Sequence, residues 1–325
     1  MKDTIFPSIN KALLDKIKSY NDILIIGHKN PDGDCLSSTL AVEAILKKLN
    51  KNTLAISDGP FHRTELKFLS DKVKTEINPE FLNKNPLVIV VDCSTIDRPG
   101  EIFKSINHLE RVVIDHHSSG EAFCKEELSY IVPFSPSTTL LVDVLRESLS
   151  VELDKEIATY LYIGLLTDTG FFHFISQRVG EEVFKRAAEF AKAGVDPYDM
   201  YDKMNDGKAF EDVLNGAKVL ESTETYYEGK LLVAYQKKEI ETAGLSDNLY
   251  AELLKISGVK AVVFFKEKED VVDVGFRAKK DSGLDVGEIA SLIGGGGHKL
   301  ASGASLKLPL DECKEKVLAL FTSIL

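Results

Sequence analysis

The sequence predicts an α/β protein in which a parallel-sheet domain is followed by a smaller, mixed α/β domain. Three short and almost wholly apolar runs, at 22–27, 87–91 and 111–114, are typical of strands buried on both faces of a sheet. Helical patterns separate these runs, and strands that alternate with helices favour a parallel sheet. Each run also ends in a polar cluster, and ligands of such sheets bind at the carboxyl ends of the strands.

The first domain, which we place at 1–190, contains helices as well as these strands. Residues 1–20 alternate charged and apolar side chains, which predicts an amphipathic helix rather than a signal peptide. The apolar positions that follow residue 34 recur at helical spacing, so a helix is expected there. Two further helices are predicted at 136–149 and 154–167.

The pattern changes after a charged helical connector, which we place at 191–222. Alternating strands are predicted at 230–235, 259–265 and 271–278, and helices at 285–292 and 310–322. This strand-rich stretch predicts a second, smaller domain at 223–325.

Composition and charge exclude several classes of protein. The chain has 325 residues, 44% of them hydrophobic, which is enough for two domains with sizeable cores. No apolar run approaches the roughly 20 residues that a membrane helix needs, so we expect a cytoplasmic protein without a membrane partner. The net charge of −11 argues against a protein that coats long duplex nucleic acid, because phosphate binding favours basic surfaces. A nucleic-acid substrate should therefore be short and bound locally.

The cysteines do not have the spacing of a zinc cage or of a disulfide framework. The chain has four, with no C-x-x-C pair among them: Cys35, Cys93, Cys124 and Cys313. Cys35 and Cys93 each follow a carboxylate that we expect to bind metal. We interpret both as small residues packed in the wall of a site.

Aspartates and histidines dominate the polar clusters at the predicted strand and helix ends. They are His28, Asp32 and Asp34 after the first strand, Asp92 after the second, Asp115, His116 and His117 after the third, and Asp168 at the end of a helix. Histidine with aspartate suits a divalent cation such as Mn²⁺, with Mg²⁺ and Co²⁺ as alternatives. So many carboxylates would repel each other unless cations lay among them. Because two cations about 4 Å apart can hold an attacking oxygen and a phosphoryl oxygen together, the sequence predicts a binuclear phosphoesterase site.

These residues and their spacing resemble the DHH phosphoesterase superfamily. The resemblance is clearest in Asp115-His116-His117 after a buried strand and in His28-x-x-x-Asp32-x-Asp34 upstream of it, and all four motifs of the superfamily are present. It covers nearly the whole chain and implies two bound Mn²⁺ ions. One ion would be held by His28, Asp32 and Asp92, and the other by Asp34, Asp92, His116 and Asp168, with Asp92 bridging. The resemblance further implies that Asp115 orients its neighbours and that His117 faces the substrate, as a phosphate ligand or as the general acid.

A glycine run near the C-terminus is the candidate substrate-binding feature. Four consecutive glycines at 294–297 cost so much chain entropy that a purely structural loop explains them poorly, and their N–H groups can form a nest around an anion. The guanidinium group of Arg277 can donate two parallel hydrogen bonds to a phosphate or to the edge of a base. The run resembles the GGGGH signature of the DHH-associated C-terminal domain, which implies that this region binds the nucleotide end of the substrate. The candidate contacts are Arg277, Gly295, Gly296, Gly297, His298 and Ser302, with Arg98 as a further phosphate contact and Ser137, Thr138 and Thr139 as phosphate contacts or helix caps.

The resemblance implies a phosphodiesterase or phosphatase of the oligoribonuclease and 3′,5′-bisphosphate nucleotidase type. It would hydrolyse short oligonucleotides, pApA or pAp to mononucleotides in a cleft between the two domains. RecJ-type exonucleases are usually longer, and family II pyrophosphatases have a different C-terminal domain. A cyclic di-AMP phosphodiesterase, an inorganic pyrophosphatase or polyphosphatase and a non-catalytic nucleotide-binding regulator stay open as alternatives. Homodimers are common among such relatives, and nothing in the sequence indicates one.

Overall fold

A computed structural model describes residues 5–93, 95–117, 123–206, 209–240 and 245–325. The chain divides into two compact units, Met1–Gly207 and Lys208–Leu325, and the division lies within the expected connector at 191–222. In the described part of the chain, no helix combines the length and the apolar composition needed to cross a membrane.

A parallel sheet forms the centre of the first unit. Its strands are β1 (Asp22–Ile26), β2 (Asn52–Ile56), β3 (Leu87–Val91), β4 (Arg111–Asp115) and β5 (Ser129–Ile131). They lie in the order β2-β1-β3-β4-β5, and all neighbouring pairs are parallel. The three strands predicted from apolar runs are confirmed as β1, β3 and β4. The order reverses between β1 and β3, and the crevice at such a reversal is where open parallel sheets bind ligands.

Helices of the first unit pack against this sheet and against each other. They are α1 (Lys11–Ser19), α2 (Gly33–Lys48), α3 (Lys67–Ser70), α4 (Pro79–Leu82), α5 (Thr138–Ser148), α6 (Lys155–Asp168), α7 (Gln177–Lys192) and α8 (Pro197–Asn205). Successive strand residues contact opposite layers, because side chains alternate along a strand. Ile23 and Ile25 join the core that contains α2, α5 and α6, whereas Leu24 and Ile26 join a second core on the other face.

The second unit is built on a mixed sheet. Its strands are β6 (Glu224–Tyr226), β7 (Leu231–Gln236), β8 (Ala261–Glu267), β9 (Val272–Ala278), β10 (Gly296–His298) and β11 (Ala301–Leu306). They lie in the order β10-β11-β9-β8-β7-β6, with β7 and β8 parallel and the other pairs antiparallel. Its helices are α9 (Phe210–Glu221), α10 (Leu245–Leu254), α11 (Val286–Ser291) and α12 (Leu310–Phe321). α11 and α12 pack on one face of the sheet and α9 and α10 on the other.

Candidate active site

The predicted metal ligands lie together at the ends of β1, β3 and β4, joined by Asp34 from the first turn of α2 and Asp168 from the end of α6. The donor atoms form three groups, and within each group all atoms lie within 4.8 Å of one another. The groups are His28 with Cys35 and Asp92, Asp92 with His116 and His117, and Asp34 with His116 and Asp168. Asp92 and His116 each belong to two groups, so the groups form one continuous cluster. Each group offers three donor atoms that could hold a metal ion.

His28 faces two carboxylates at the end of β1. Its Nε2 lies 3.6 Å from Oδ2 of Asp32 and 3.5 Å from Oδ2 of Asp92, longer than a good hydrogen bond. Its Nδ1 lies 2.8 Å from the carbonyl oxygen of Lys29, so Nδ1 is the protonated nitrogen in the neutral ring. Nε2 is buried and has no hydrogen-bond partner among the residues that the structure describes. A lone pair so placed, between two carboxylates, fits a metal ion.

Asp32 and Cys35 have different roles at this end of the cluster. Oδ1 of Asp32 accepts a hydrogen bond from the backbone N–H of Cys35 at 3.0 Å and so caps α2, while Oδ2 faces His28. Burial raises the pKa of Cys35 to about 11, and the Cys35 sulfur accepts a hydrogen bond from the backbone N–H of His28 at 3.1 Å. A Cβ at Gly27 would lie 2.2 Å from the Cys35 sulfur. Cys35 is therefore packed closely against the residue that follows β1.

Asp34 is fully buried against the N-terminus of α5. The backbone N–H groups of Thr138 and Thr139 donate to its two carboxylate oxygens at 2.6 and 3.1 Å, where the helix dipole favours negative charge. The hydroxyl of Thr138 also donates to Oδ1 of Asp92 at 3.0 Å. Thr138 thus joins two predicted ligands, while Ser137 caps the helix. The sequence suggested phosphate binding or capping for this segment and did not reveal the link.

Asp115 orients both histidines of its motif. Its Oδ1 accepts hydrogen bonds from the backbone N–H of His116 at 2.8 Å and from Nδ1 of His117 at 2.8 Å. Burial opposes ionisation of Asp115, but the hydrogen bonds and charge of His117 outweigh it and hold the pKa of Asp115 below its ordinary value. The His117 side chain is 33% exposed, whereas that of Asp92 is 3% exposed. His117 is therefore held on one side and open to solvent on the other, as a group that meets substrate must be.

His116 lies between Asp168 and Asp92. Its Nε2 is 3.1 Å from Oδ2 of Asp168 and 3.5 Å from Oδ1 of Asp92, and its Nδ1 is 3.1 Å from the carbonyl oxygen of Ser135. Because that carbonyl accepts a hydrogen bond from the Nδ1–H, the neutral ring presents the lone pair of Nε2 to the carboxylates. This is the arrangement in which histidine binds metals.

The cluster carries more negative charge than its histidines can balance. Burial and the charges of Asp168 and Asp92 raise the pKa of Asp34 well above its ordinary value, and burial also raises that of Asp168. Burial opposes protonation of His116, but the nearby carboxylates outweigh it and raise the pKa of His116 to about 10. The raised pKa values show that the buried negative charge is not fully balanced by the protein. Bound cations would neutralise that charge, so the cluster favours cation binding.

The backbone at Asp92 is held in a conformation that few side chains adopt. Its φ is +56°, in the left-handed region that non-glycine residues other than asparagine and aspartate rarely adopt. Backbone strain of this kind persists where the surroundings fix a functional geometry. In this conformation the carboxylate of Asp92, directly after β3, lies 3.5 Å from Nε2 of both His28 and His116.

Arg98 lies beside the loop that carries His28. Its carbonyl oxygen accepts a hydrogen bond from the backbone N–H of Lys29 at 2.7 Å. The Nε atom of Arg98 is buried, and no residue in the described ranges accepts a hydrogen bond from it. An unpaired buried donor on a cation is costly, and an anionic ligand would satisfy it.

Two substrate-binding candidates of the second unit lie on the same face of its sheet. Arg277 on β9 pairs with Ala301 on β11, which in turn pairs with His298 on β10. Residues directly opposite on antiparallel strands point to the same face. The guanidinium carbon of Arg277 lies 4.7 Å from the centre of the Tyr250 ring, and His298 is exposed.

The residues around the glycine run do not form a simple anion nest, because some of their hydrogen-bond donors are already engaged. The N–H of Gly295 donates to the carbonyl of Ala290 at 2.9 Å and is therefore engaged, whereas Gly296 and Gly297 lie exposed in β10. Ser302 is buried, and its hydroxyl donates to the carbonyl of Val286 at 2.5 Å. Alternation along β11 turns Ser302 toward α11, so its hydroxyl does not join Arg277 and His298.

The comparisons with known proteins agree with this geometry. Residues 22–165 match the model of the DHH family, N-terminal domain, and residues 228–325 match that of the DHHA1 domain. The chain is 31% identical over 301 residues to the bifunctional oligoribonuclease and PAP phosphatase NrnA of Thermus thermophilus, covering 91% of this chain and 88% of that protein. It is 27% identical to the cyclic-di-AMP phosphodiesterase GdpP of Geobacillus thermodenitrificans, covering 92% of this chain but 46% of that protein. An exopolyphosphatase-related protein from Bacteroides fragilis, 23% identical, has the same fold, with a TM-score of 0.85 over 97% of this chain and 98% of that one.

Proposed function

Because this chain belongs to the DHH family of phosphoesterases, we propose that it hydrolyses short oligoribonucleotides and pAp, releasing mononucleotides. The observation that carries the proposal is the cluster around Asp92, in which carboxylates and imidazoles from three strand ends and two helices meet. The relative from Thermus thermophilus, which matches along 88% of its length, supports the choice of substrate.

The donor set fits two divalent cations, for which we propose Mn²⁺. His28, Asp32 and Asp92 would hold one ion, and Asp34, Asp92, His116 and Asp168 the other. The unpaired Nε2 of His28 and the excess of buried carboxylates support this assignment. When bound, the ions supply Lewis-acid activation of water and neutralise charge on the phosphate.

The remaining residues bind, orient and transfer protons. Asp115 accepts a hydrogen bond from Nδ1 of His117 at 2.8 Å, which leaves Nε2 directed away from Asp115. In the doubly protonated ring, Nε2 would donate either a hydrogen bond to a phosphate oxygen or a proton to the departing oxygen. Arg98 offers its unpaired Nε to a phosphate oxygen. Arg277 and His298 bind the nucleotide end of the substrate from the second unit.

One substrate panel with Mn²⁺ tests the proposal: pyrophosphate, pAp, pApA, cyclic di-AMP and RNAs of two to twenty nucleotides. We expect hydrolysis of pApA, pAp and the shortest RNAs, with rates that fall as the RNA becomes longer. Activity confined to pyrophosphate would overturn the proposal. The similarity to a cyclic-di-AMP phosphodiesterase favours a second candidate, and a higher kcat/KM on cyclic di-AMP than on pApA would select it. Asp34→Asn, which removes a buried ligand charge, serves as the control for contaminating nucleases.

A further inference from the structure

Two buried cysteines directly follow predicted metal ligands, and their surroundings differ. Cys35 follows Asp34 in the first turn of α2, and Cys93 follows Asp92 just beyond the end of β3. Each of the two cysteines is 1% exposed. Cys93 packs in the apolar core on one face of the parallel sheet, whereas Cys35 belongs to none of the apolar cores that the described residues form. Apolar packing therefore accounts for Cys93 but not for Cys35.

The sulfur of Cys35 lies among the donor atoms of the cluster. Its Sγ, a ring nitrogen of His28 and a carboxylate oxygen of Asp92 all lie within 4.8 Å of one another. No such group within the described ranges includes Cys93. Zinc–sulfur and zinc–nitrogen bonds of about 2.3 and 2.1 Å place two ligands of one tetrahedral ion about 3.6 Å apart. The three donors therefore need only a small contraction to share an ion.

The imidazole of His28 gives a second and independent indication of an ion at this group. Its Nδ1 is engaged with the carbonyl oxygen of Lys29, and its Nε2 is buried without a hydrogen-bond partner in the part of the chain that the structure describes. The side chain of His28 is only 5% exposed. A buried polar atom without a partner costs free energy, and a bound cation removes that cost. An ion bound by His28 would lie within reach of the Cys35 sulfur.

The backbone between β1 and α2 holds the sulfur beside His28. The backbone N–H of His28 donates to Sγ of Cys35 at 3.1 Å, and the backbone N–H of Cys35 donates to Oδ1 of Asp32 at 3.0 Å. A Cβ at Gly27 would lie 2.2 Å from Sγ, so this glycine leaves the space that the sulfur occupies. Hydrogen bonds from outside the ligand set orient metal ligands. The sulfur is therefore positioned before any ion binds.

We propose that the Cys35 sulfur is a further ligand of the ion held by His28, Asp32 and Asp92, and that it strengthens the preference of this site for Zn²⁺ and Co²⁺ over Mn²⁺. The inference rests on the metal centre of the proposed function. The sulfur releases its proton to the buffer as it binds the ion. A thiolate is a soft ligand that suits Zn²⁺, whereas carboxylates and water suit Mn²⁺. One nitrogen, two oxygens and one sulfur complete the four ligands of a tetrahedral ion.

Absorption spectroscopy of the full chain during a Co²⁺ titration tests the proposal, because a thiolate bound to Co²⁺ gives a charge-transfer band in the near ultraviolet. Oxygen and nitrogen ligands give no such band. The wild type should develop the band as Co²⁺ binds, and Cys35→Ser, which keeps an acceptor for the His28 N–H, should abolish it, as should Cys35→Ala. In calorimetry, Cys35→Ser should lower the affinity for Zn²⁺ by at least about tenfold, or ~1.4 kcal/mol, and that for Mn²⁺ much less.

Cys93→Ala is the matched control for Cys35→Ala, because Cys93 is equally buried and also follows a predicted ligand, and it should keep the band. A wild-type chain that binds Co²⁺ without the band would overturn the assignment and leave the proposed function standing. A folded Cys35→Ser protein that keeps the band, or that loses Zn²⁺ and Mn²⁺ affinity equally, would also overturn it. A chain that shows the expected bands but hydrolyses no oligoribonucleotide would refute the proposed function and leave the role of Cys35 standing.

Discussion

Thr138 provides a sharp test of how the candidate metal centre is held together. Thr138→Val removes the hydroxyl that donates to Asp92 at 3.0 Å and keeps both the side-chain shape and the backbone N–H that donates to Asp34. A hydrogen bond to a charged group contributes about 1.5–3 kcal/mol, and about 1.4 kcal/mol is tenfold in an equilibrium constant. We therefore expect the affinity for Mn²⁺ to fall by about 10- to 100-fold, the range seen when residues that support metal ligands are removed.

The assay is a Mn²⁺ titration followed by calorimetry, with the activation of hydrolysis by Mn²⁺ as a second readout. Thr139→Val is the matched control, since Thr139 is equally buried and its N–H also donates to Asp34, but its hydroxyl pairs with Ser137 instead of a site carboxylate. The control should lose some stability and retain wild-type Mn²⁺ affinity. Unchanged affinity in Thr138→Val, or equal losses in the two variants, would refute the account of how Asp92 is held.

Three further predictions concern packing, capping and phosphate binding. Gly164→Ala should lower the free energy of unfolding by about 1–3 kcal/mol in urea titrations, because its Cβ would lie 2.3 Å from Thr139, whereas Gly180→Ala should not. Asp154→Ala should cost about 1 kcal/mol at pH 7, because Asp154 caps α6. Burial opposes ionisation of Asp154, but hydrogen bonds from the backbone and from Lys48 outweigh it and lower its pKa. The difference in free energy of unfolding between Asp154→Ala and the wild type should therefore be complete above the unfolded-state pKa of about 3.9, and it should shrink as the pH falls through the folded-state pKa. A difference that grows on acidification would contradict this. Arg98→Gln should raise KM about tenfold in steady-state assays, and a loss confined to kcat would argue against phosphate binding.

Strands β1, β3 and β4 could be predicted because a strand buried on both faces must be apolar at nearly every position. β2 and β5 lie at the edges of the sheet and are partly exposed, so their hydrophobic pattern is weak. β11 consists largely of alanine, serine and glycine, which carry no strand signal in a sequence. Its position follows from pairing with β9, which only the folded chain displays.

The candidate ligands could be expected in one place because the carboxyl ends of parallel strands meet at one edge of the sheet. The contacts of Thr138 could not be predicted, because Thr138 lies 104 positions from Asp34 and 46 positions from Asp92 in the sequence. The local sequence around Thr138 is also typical of an ordinary helix cap. For Ser302 the sequence suggested a contact with substrate that the fold does not support. Its position beside the glycine run suggested substrate binding, but strand alternation turns its hydroxyl toward Val286.

We propose that the cluster around Asp92 hydrolyses phosphoesters, and Asp92→Asn is the most direct test. The substitution keeps the size of the side chain and removes the charge shared by the two proposed ions. The measurement is the initial rate of mononucleotide release from pApA at saturating Mn²⁺, with circular dichroism to show that the variant is folded. The rate should fall by at least about a thousandfold, since metal ions contribute several kcal/mol to such reactions. A folded Asp92→Asn protein that hydrolyses pApA within tenfold of the wild-type rate would contradict the claim.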